Sequence, residues 1–142
     1  MSLILRRAAV LALLLAAALS AQESRPEKRI LFLTHSAGYV HDVVKRPAPD
    51  QLSFAERELT EILRDSGFRV ACTQDCSVLT AESLRTVDVV AFYTTGELPA
   101  PPGGALALLA WIRQGGGFVG IHCATDTWYE VPGFGAMLGG VF

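Results

Sequence analysis

Four short apolar runs, separated by stretches of helical character, constrain this chain more than any other feature. They are RILFLT (29–34), FRVACT (68–73), VDVVAFYT (87–94) and GFVGIH (117–122). Each is rich in β-branched and aromatic residues and is bounded by charge, glycine or small polar residues, which is how a buried strand reads. Between the first two lies SFAERELTEILRDSGF (53–68), a helix with Ser53 and Glu56 as a capping box, Phe54, Leu59, Ile62 and Leu63 on one face, and Gly67 as its stop. A short helix from Thr80 to Leu84, capped by Thr80, precedes the third run. A second long one, ALALLAWIRQ (105–114), precedes the fourth and is stopped by Gly115–Gly117. The Val-rich third run fits a central parallel strand covered on both sides. This alternation predicts an α/β domain with a doubly wound, mainly parallel sheet and helices on both faces.

The N-terminus has another character. Arg6 and Arg7 are followed by an apolar run from Ala8 to Leu19 and then by small residues before Gln22. That is the layout of a secretory signal peptide, with cleavage after Ser20 or after Ala21. The run is about a dozen residues, short of the roughly 20 that a spanning helix needs. The expected organisation is therefore a signal over 1–21, a polar linker over 22–28 and one domain over 29–142, exported to the periplasm or the exterior with no stable membrane span. Loss of Arg6 and Arg7 lowers the basic count from 12 to 10 against 14 acidic residues, so no nucleic-acid footprint is expected. About 120 residues remain, enough for one small core; a homo-oligomer is compatible with this size. Cys72, Cys76 and Cys123 include no CxxC pair. A Cys72–Cys76 disulfide and the alternative of a buried strand residue beside a loop thiol are both open.

In a doubly wound sheet ligands sit beyond the carboxyl ends of the strands. The loop after the first strand, HSAGYVHDVVKRPAPDQL, is long and carries His35, Tyr39, His41 and Asp42. Long loops in compact domains are commonly functional. The loop after the third strand carries Thr94, Thr95, Gly96 and Glu97, and the corner after the fourth carries His122, Cys123, Thr125, Asp126, Trp128 and Tyr129. All three histidines of the chain thus fall on one edge, together with carboxylates. Those residue types suit acid/base work near neutral pH or a divalent metal.

Gly120-Ile121-His122-Cys123-Ala124 resembles the elbow of class I glutamine amidotransferases, where a strand ends Gly-Ile-Cys and the cysteine is the nucleophile. Aligned on Gly120 and Ile121, the nucleophile position holds His122. Cys123 falls one place later, which on a strand turns a side chain to the opposite face, so it is read as packing and not as a nucleophile. Trp128 and Tyr129 have two readings: stacking on a sugar ring, or capping the core beneath the loop. Gly115–Gly117 precede a strand instead of opening a helix and read as a turn, not as a phosphate loop.

Three ordered motifs, ILFLTHSAGYVHDVV, DVVAFYTTGEL and GGGFVGIHCATDTWYEVPGFGAMLGGVF, together resemble the ThuA-like (trehalose utilisation) family. The matched residues are Gly38, Tyr39, His41 and Asp42; Thr94, Thr95 and Gly96; and Gly115 to His122 followed by Ala124, Thr125 and Asp126, then Gly139, Gly140 and Phe142. The resemblance implies a class I glutamine amidotransferase-like, flavodoxin-like fold without the amidotransferase cysteine. It also implies a role in carbohydrate metabolism on a sugar or oxidised sugar derivative. His41, His122 and Asp126 become the expected catalytic residues, Tyr39, Thr95, Gly96, Thr125, Trp128 and Tyr129 the expected substrate contacts, and His41 with His122 the expected ligands of any divalent metal. Family domains usually continue past Gly-Gly-x-Phe with further strands and another histidine-bearing loop. The chain, ending at Phe142, is expected to be the front portion of such a domain, with an exposed sheet edge and an incomplete pocket. Three outcomes follow: a carbohydrate-active enzyme, a non-catalytic sugar-binding or interaction module, or an inactive fragment.

Overall fold

A computed structural model describes residues 27–141. The predicted signal and most of the linker lie outside the described residues. Four strands form one parallel sheet: β1 (Lys28–Leu33), β2 (Phe68–Thr73), β3 (Val89–Phe92) and β4 (Gly117–Gly120), in the order β2-β1-β3-β4. β1 starts one residue earlier than expected, at Lys28, because the pairing of Lys28 with Phe68 extends the ladder. The helices are α1 (Phe54–Ile62), α2 (Ala81–Leu84), α3 (Gly104–Arg113) and α4 (Phe134–Leu138).

The strand order explains why both sheet faces are covered. The chain moves outward from β1 to β2, then crosses back over β1 to place β3 and β4 on the other side. Right-handed crossovers in opposite directions put their helices on opposite faces. On one face Ile30, Phe32 and Ala91 pack with Ala55, Leu59 and Leu63 of the α1 segment. On the other, Leu31, Leu33, Val90 and Phe92 pack with Leu84 of α2, Leu108 and Leu109 of α3, and Phe134 of α4. Each fully buried side chain of this kind contributes about 1.5–3 kcal/mol relative to exposure.

The apolar face expected for the first helix is corrected. Phe54 is 52% and Ile62 73% exposed, and the helix docks through Ala55, Leu59 and Leu63, spaced four apart. Glu56 turns inward beside them, fully buried. The capping box is present: Ser53 Oγ accepts from the Glu56 N–H, and the Glu56 carboxylate accepts from the Ser53 N–H. The cysteines settle the alternatives left by the sequence, since Cys72, Cys76 and Cys123 are all free. Cys72 lies on β2 and is half-buried, while Cys76 sits in a 3-10 turn of the loop between β2 and α2 and is buried in the core.

Candidate functional site

β1 and β3 are neighbours whose following connections run to opposite sides, so the carboxyl ends of these strands are the topological switch point of the sheet. Three loops meet there, and hydrogen bonds extend the sheet order beyond the strands to hold them together. Ser36 bridges Thr95, and Gly96 bridges Thr127. The Ala37 N–H donates to the Thr95 carbonyl at 2.8 Å, and the Gly96 and Trp128 N–H groups donate to the Asp126 and Gly96 carbonyls. Gly96 has φ +74, and a Cβ there would stand 2.6 Å from the Gly38 nitrogen. Only glycine allows the first and second loops to pass this closely.

The first loop is anchored from within. Arg46 donates from Nε at 2.9 Å and from Nη2 at 2.7 Å to the two carboxylate oxygens of Glu56. Thr34 Oγ1 donates to the same carboxylate at 2.8 Å, as does the Ser53 N–H at 2.8 Å. Burial alone would raise the Glu56 pKa; Arg46, the Ser53 N–H and Thr34 outweigh it and hold the carboxyl below its ordinary range. Gln74 Nε2 donates to the Val44 carbonyl at 2.8 Å. Between these anchors a single 3-10 turn, Asp42–Val44, begins at His41. A cleft of about 380 Å³ opens along this loop, lined by Thr34, His35, Ser36, Lys45, Arg46 and Gln74 among others.

The corner after β4 has the geometry of an elbow. His122 has φ 52, in the left-handed region that few non-glycine residues adopt, and the chain passes from strand into a 3-10 turn, His122–Asp126. Gly120 and Ala124 flank it two residues away on either side, and a Cβ on Gly120 would stand 3.1 Å from the Ala124 Cβ. Small residues at both places let the turn fold back on the strand, and the left-handed backbone at His122 is held by that packing.

These loops bring four rings together. The His41 and His122 ring centroids are 4.6 Å apart. Tyr39 meets His41 edge-on at 4.8 Å, and Tyr93 stacks on His122 at 5.5 Å with an interplanar angle of 17°. Tyr93 was not expected from the sequence; its signal was the period-2 alternation of Val89, Ala91 and Tyr93, which carries the last of them to the site at the strand's end. Burial raises the Tyr93 pKa, so the phenol stays protonated. Among the described residues, one group of three metal-ligating side chains converges: His41, His122 and Cys123, with ligand atoms all within 4.8 Å of one another. Burial, and secondarily Asp126, pushes the Cys123 thiol up, the opposite of an activated nucleophile.

The other expected site residues divide clearly. Asp126 lies at the end of the corner turn and accepts a hydrogen bond from the Tyr129 hydroxyl at 2.7 Å. Tyr39, 70% exposed, and Tyr129, 50% exposed, stand at the rim, and Thr125 is half-buried in the corner turn. Trp128 is corrected to the core reading: it is 3% exposed, packs edge-on against Phe92 and Phe134, and donates from Nε1 to the Leu98 carbonyl. Thr95 is likewise buried, and its hydroxyl donates to the Tyr39 carbonyl at 2.8 Å, so it staples the loops. Gly96 serves the same junction. Asp42 turns outward to an ion pair with Lys45, and His35 Nδ1 lies 2.8 Å from the Gln74 carbonyl, apart from the other two histidines.

No curated protein and no solved structure matches the chain. The family model described as ThuA, trehalose utilisation, matches residues 29–142, which include all four rings of the cluster and, among the described residues, every strand and helix except for the first residue of β1. The chain belongs to the ThuA family, whose description places it in carbohydrate utilisation.

Proposed function

We propose that this is an exported carbohydrate-active domain that acts on a sugar or an oxidised sugar derivative, with His41 and His122 as its acid/base or metal-ligating pair. The observation that carries this reading is the 4.6 Å approach of these two rings at the switch point of the sheet. Two imidazoles so placed can share a proton between a substrate hydroxyl and solvent near neutral pH. Asp126 supplies negative charge from the corner turn, Tyr39 and Tyr129 offer exposed aromatic faces for a pyranose, and Thr125 adds a hydroxyl. A cleft of about 380 Å³ along the first loop, with mixed polar and apolar walls that include His35 but neither His41 nor His122, has a volume within the usual range for small ligands. Amidotransferase chemistry is not supported, because the elbow position holds His122 and the adjacent thiol is protonated at neutral pH.

The test is turnover of a panel of trehalose, glucose and their keto and aldonate derivatives by the wild-type chain and by His41→Ala and His122→Ala. Loss of turnover in both variants with the fold retained supports the enzyme. The exposure of Tyr39 and Tyr129 favours a second reading, a non-catalytic sugar-binding module. Under it, sugar binding survives both histidine variants and is lost in Tyr39→Ala.

A further inference from the structure

Cys123 has no part in the acid/base reading, yet it stands with the two histidines. On a continuing strand, consecutive side chains would point to opposite faces. The left-handed backbone at His122 breaks that alternation and starts a 3-10 turn. As a result, the Cys123 sulfur and a ring nitrogen from each of His41 and His122 all lie within 4.8 Å of one another. In a tetrahedral zinc site, metal–ligand bonds of about 2.0–2.3 Å put the ligand atoms roughly 3.3–3.7 Å apart. Closing from the observed spacing needs small side-chain rotations, and His122 is exposed and His41 half-buried, so both rings have room to make them. Cys123 is buried and approaches from beneath, while the exposed His122 side leaves a direction open to solvent.

We propose that His41, His122 and Cys123 together bind one borderline-soft divalent transition ion of the zinc class, leaving a fourth position open for a sugar oxygen. The inference rests on the His41–His122 pair being the functional site. Two imidazoles and a thiolate select such an ion over magnesium or calcium, which take oxygen ligands. Three protein ligands and an open place are the arrangement of a catalytic site, not of a closed structural one. Binding converts the Cys123 thiol to a metal-bound thiolate and releases its proton to solvent, so uptake is accompanied by proton release and strengthens as pH rises.

The test is titration of the chelator-treated exported chain with Co²⁺, read by absorption. The expected result is one equivalent bound, with the visible bands of a tetrahedral centre and a near-ultraviolet thiolate-to-cobalt charge-transfer band. Cys123→Ser removes that near-ultraviolet band and weakens binding at least about tenfold, His41→Ala and His122→Asn remove both features, and a Cys72→Ala/Cys76→Ala variant keeps both. Circular dichroism confirms that each variant is folded, and Cys123→Ala provides a second substitution if Cys123→Ser does not fold. Absence of stoichiometric binding, binding without the near-ultraviolet band, or a band that persists in Cys123→Ser or Cys123→Ala would overturn the proposal. Sugar binding to the metal-free chain separates the two claims. If sugar engages His41 and His122 while cobalt binding fails, the histidine pair stands and the metal does not; if both fail, both fall.

Discussion

His122 carries two burdens at one residue: a ring that meets His41 and a backbone in the left-handed region. They can be separated, because asparagine accepts that backbone more readily than most side chains. His122→Asn is expected to keep the wild-type melting temperature, or to raise it slightly, while turnover of the sugar substrate falls about 10²–10⁴-fold, the usual contribution of a positioned acid or base. A thermal melt and a rate measurement on the same preparation check this. A variant that melts well below wild type would show that the ring is held for packing. At this scale the sequence was informative about His122 and His41, whose places follow from strand ends. It left Trp128 open between stacking and the core, because two adjacent aromatics after a strand end look equivalent; the structure buries Trp128, at φ 53, and leaves Tyr129 exposed.

At the scale of elements, the site is an assembly of loops, and its stability lies in what joins them. Gly96→Ala would meet the Gly38 backbone and force a left-handed alanine, and is expected to cost about 2 kcal/mol or more. It should also separate the first and third strand loops. Denaturant unfolding and the accessibility of Tyr39 to chemical modification together report this. The Arg46–Glu56 pair anchors the same loop from the other side. Because the folded pKa of Glu56 is lowered, its stabilisation is complete above the unfolded glutamate pKa of about 4.3 and is lost as pH falls through the depressed folded value. Glu56→Gln should therefore destabilise the protein at neutral pH by about 3 kcal/mol, and the difference from wild type should shrink as acid unfolding is approached. Stability curves at several pH values would show it; a constant difference down to low pH would contradict it. The capping box of Glu56 was legible in the sequence, since Ser53 and Glu56 are three residues apart. Its pairing with Arg46 was not, because that contact depends on how a loop of irregular backbone folds back over the helix. The same inward turn of Glu56 explains why Phe54 and Ile62, expected on the buried face of α1, are exposed.

At the scale of the whole molecule, the fold was the most legible property. Four apolar runs and the helices between them define a parallel sheet, and the observed order β2-β1-β3-β4 places the switch point where all the candidate loops gather. The shape of the pocket was not legible, because it depends on long-range loop contacts such as Ser36 with Thr95 and Gly96 with Thr127. The signal-like segment makes a separate prediction for the molecule as a whole: N-terminal sequencing of the exported chain should begin at Ala21 or Gln22, and an exported chain that begins at Met1 would contradict it. β4 is one of the two edges of the described sheet, with Val119 half exposed.

His41 and His122, and not His35, are proposed to form one sugar-responsive site. With only three histidines in the chain, their ring signals in a proton–nitrogen correlation spectrum can each be assigned by single substitution. Titration with trehalose and its keto derivative is predicted to shift the His41 and His122 signals together, along one binding curve, and to leave His35 at its Gln74 contact unmoved. Shifts confined to His35, or none in any of the three at saturating sugar, would contradict the account.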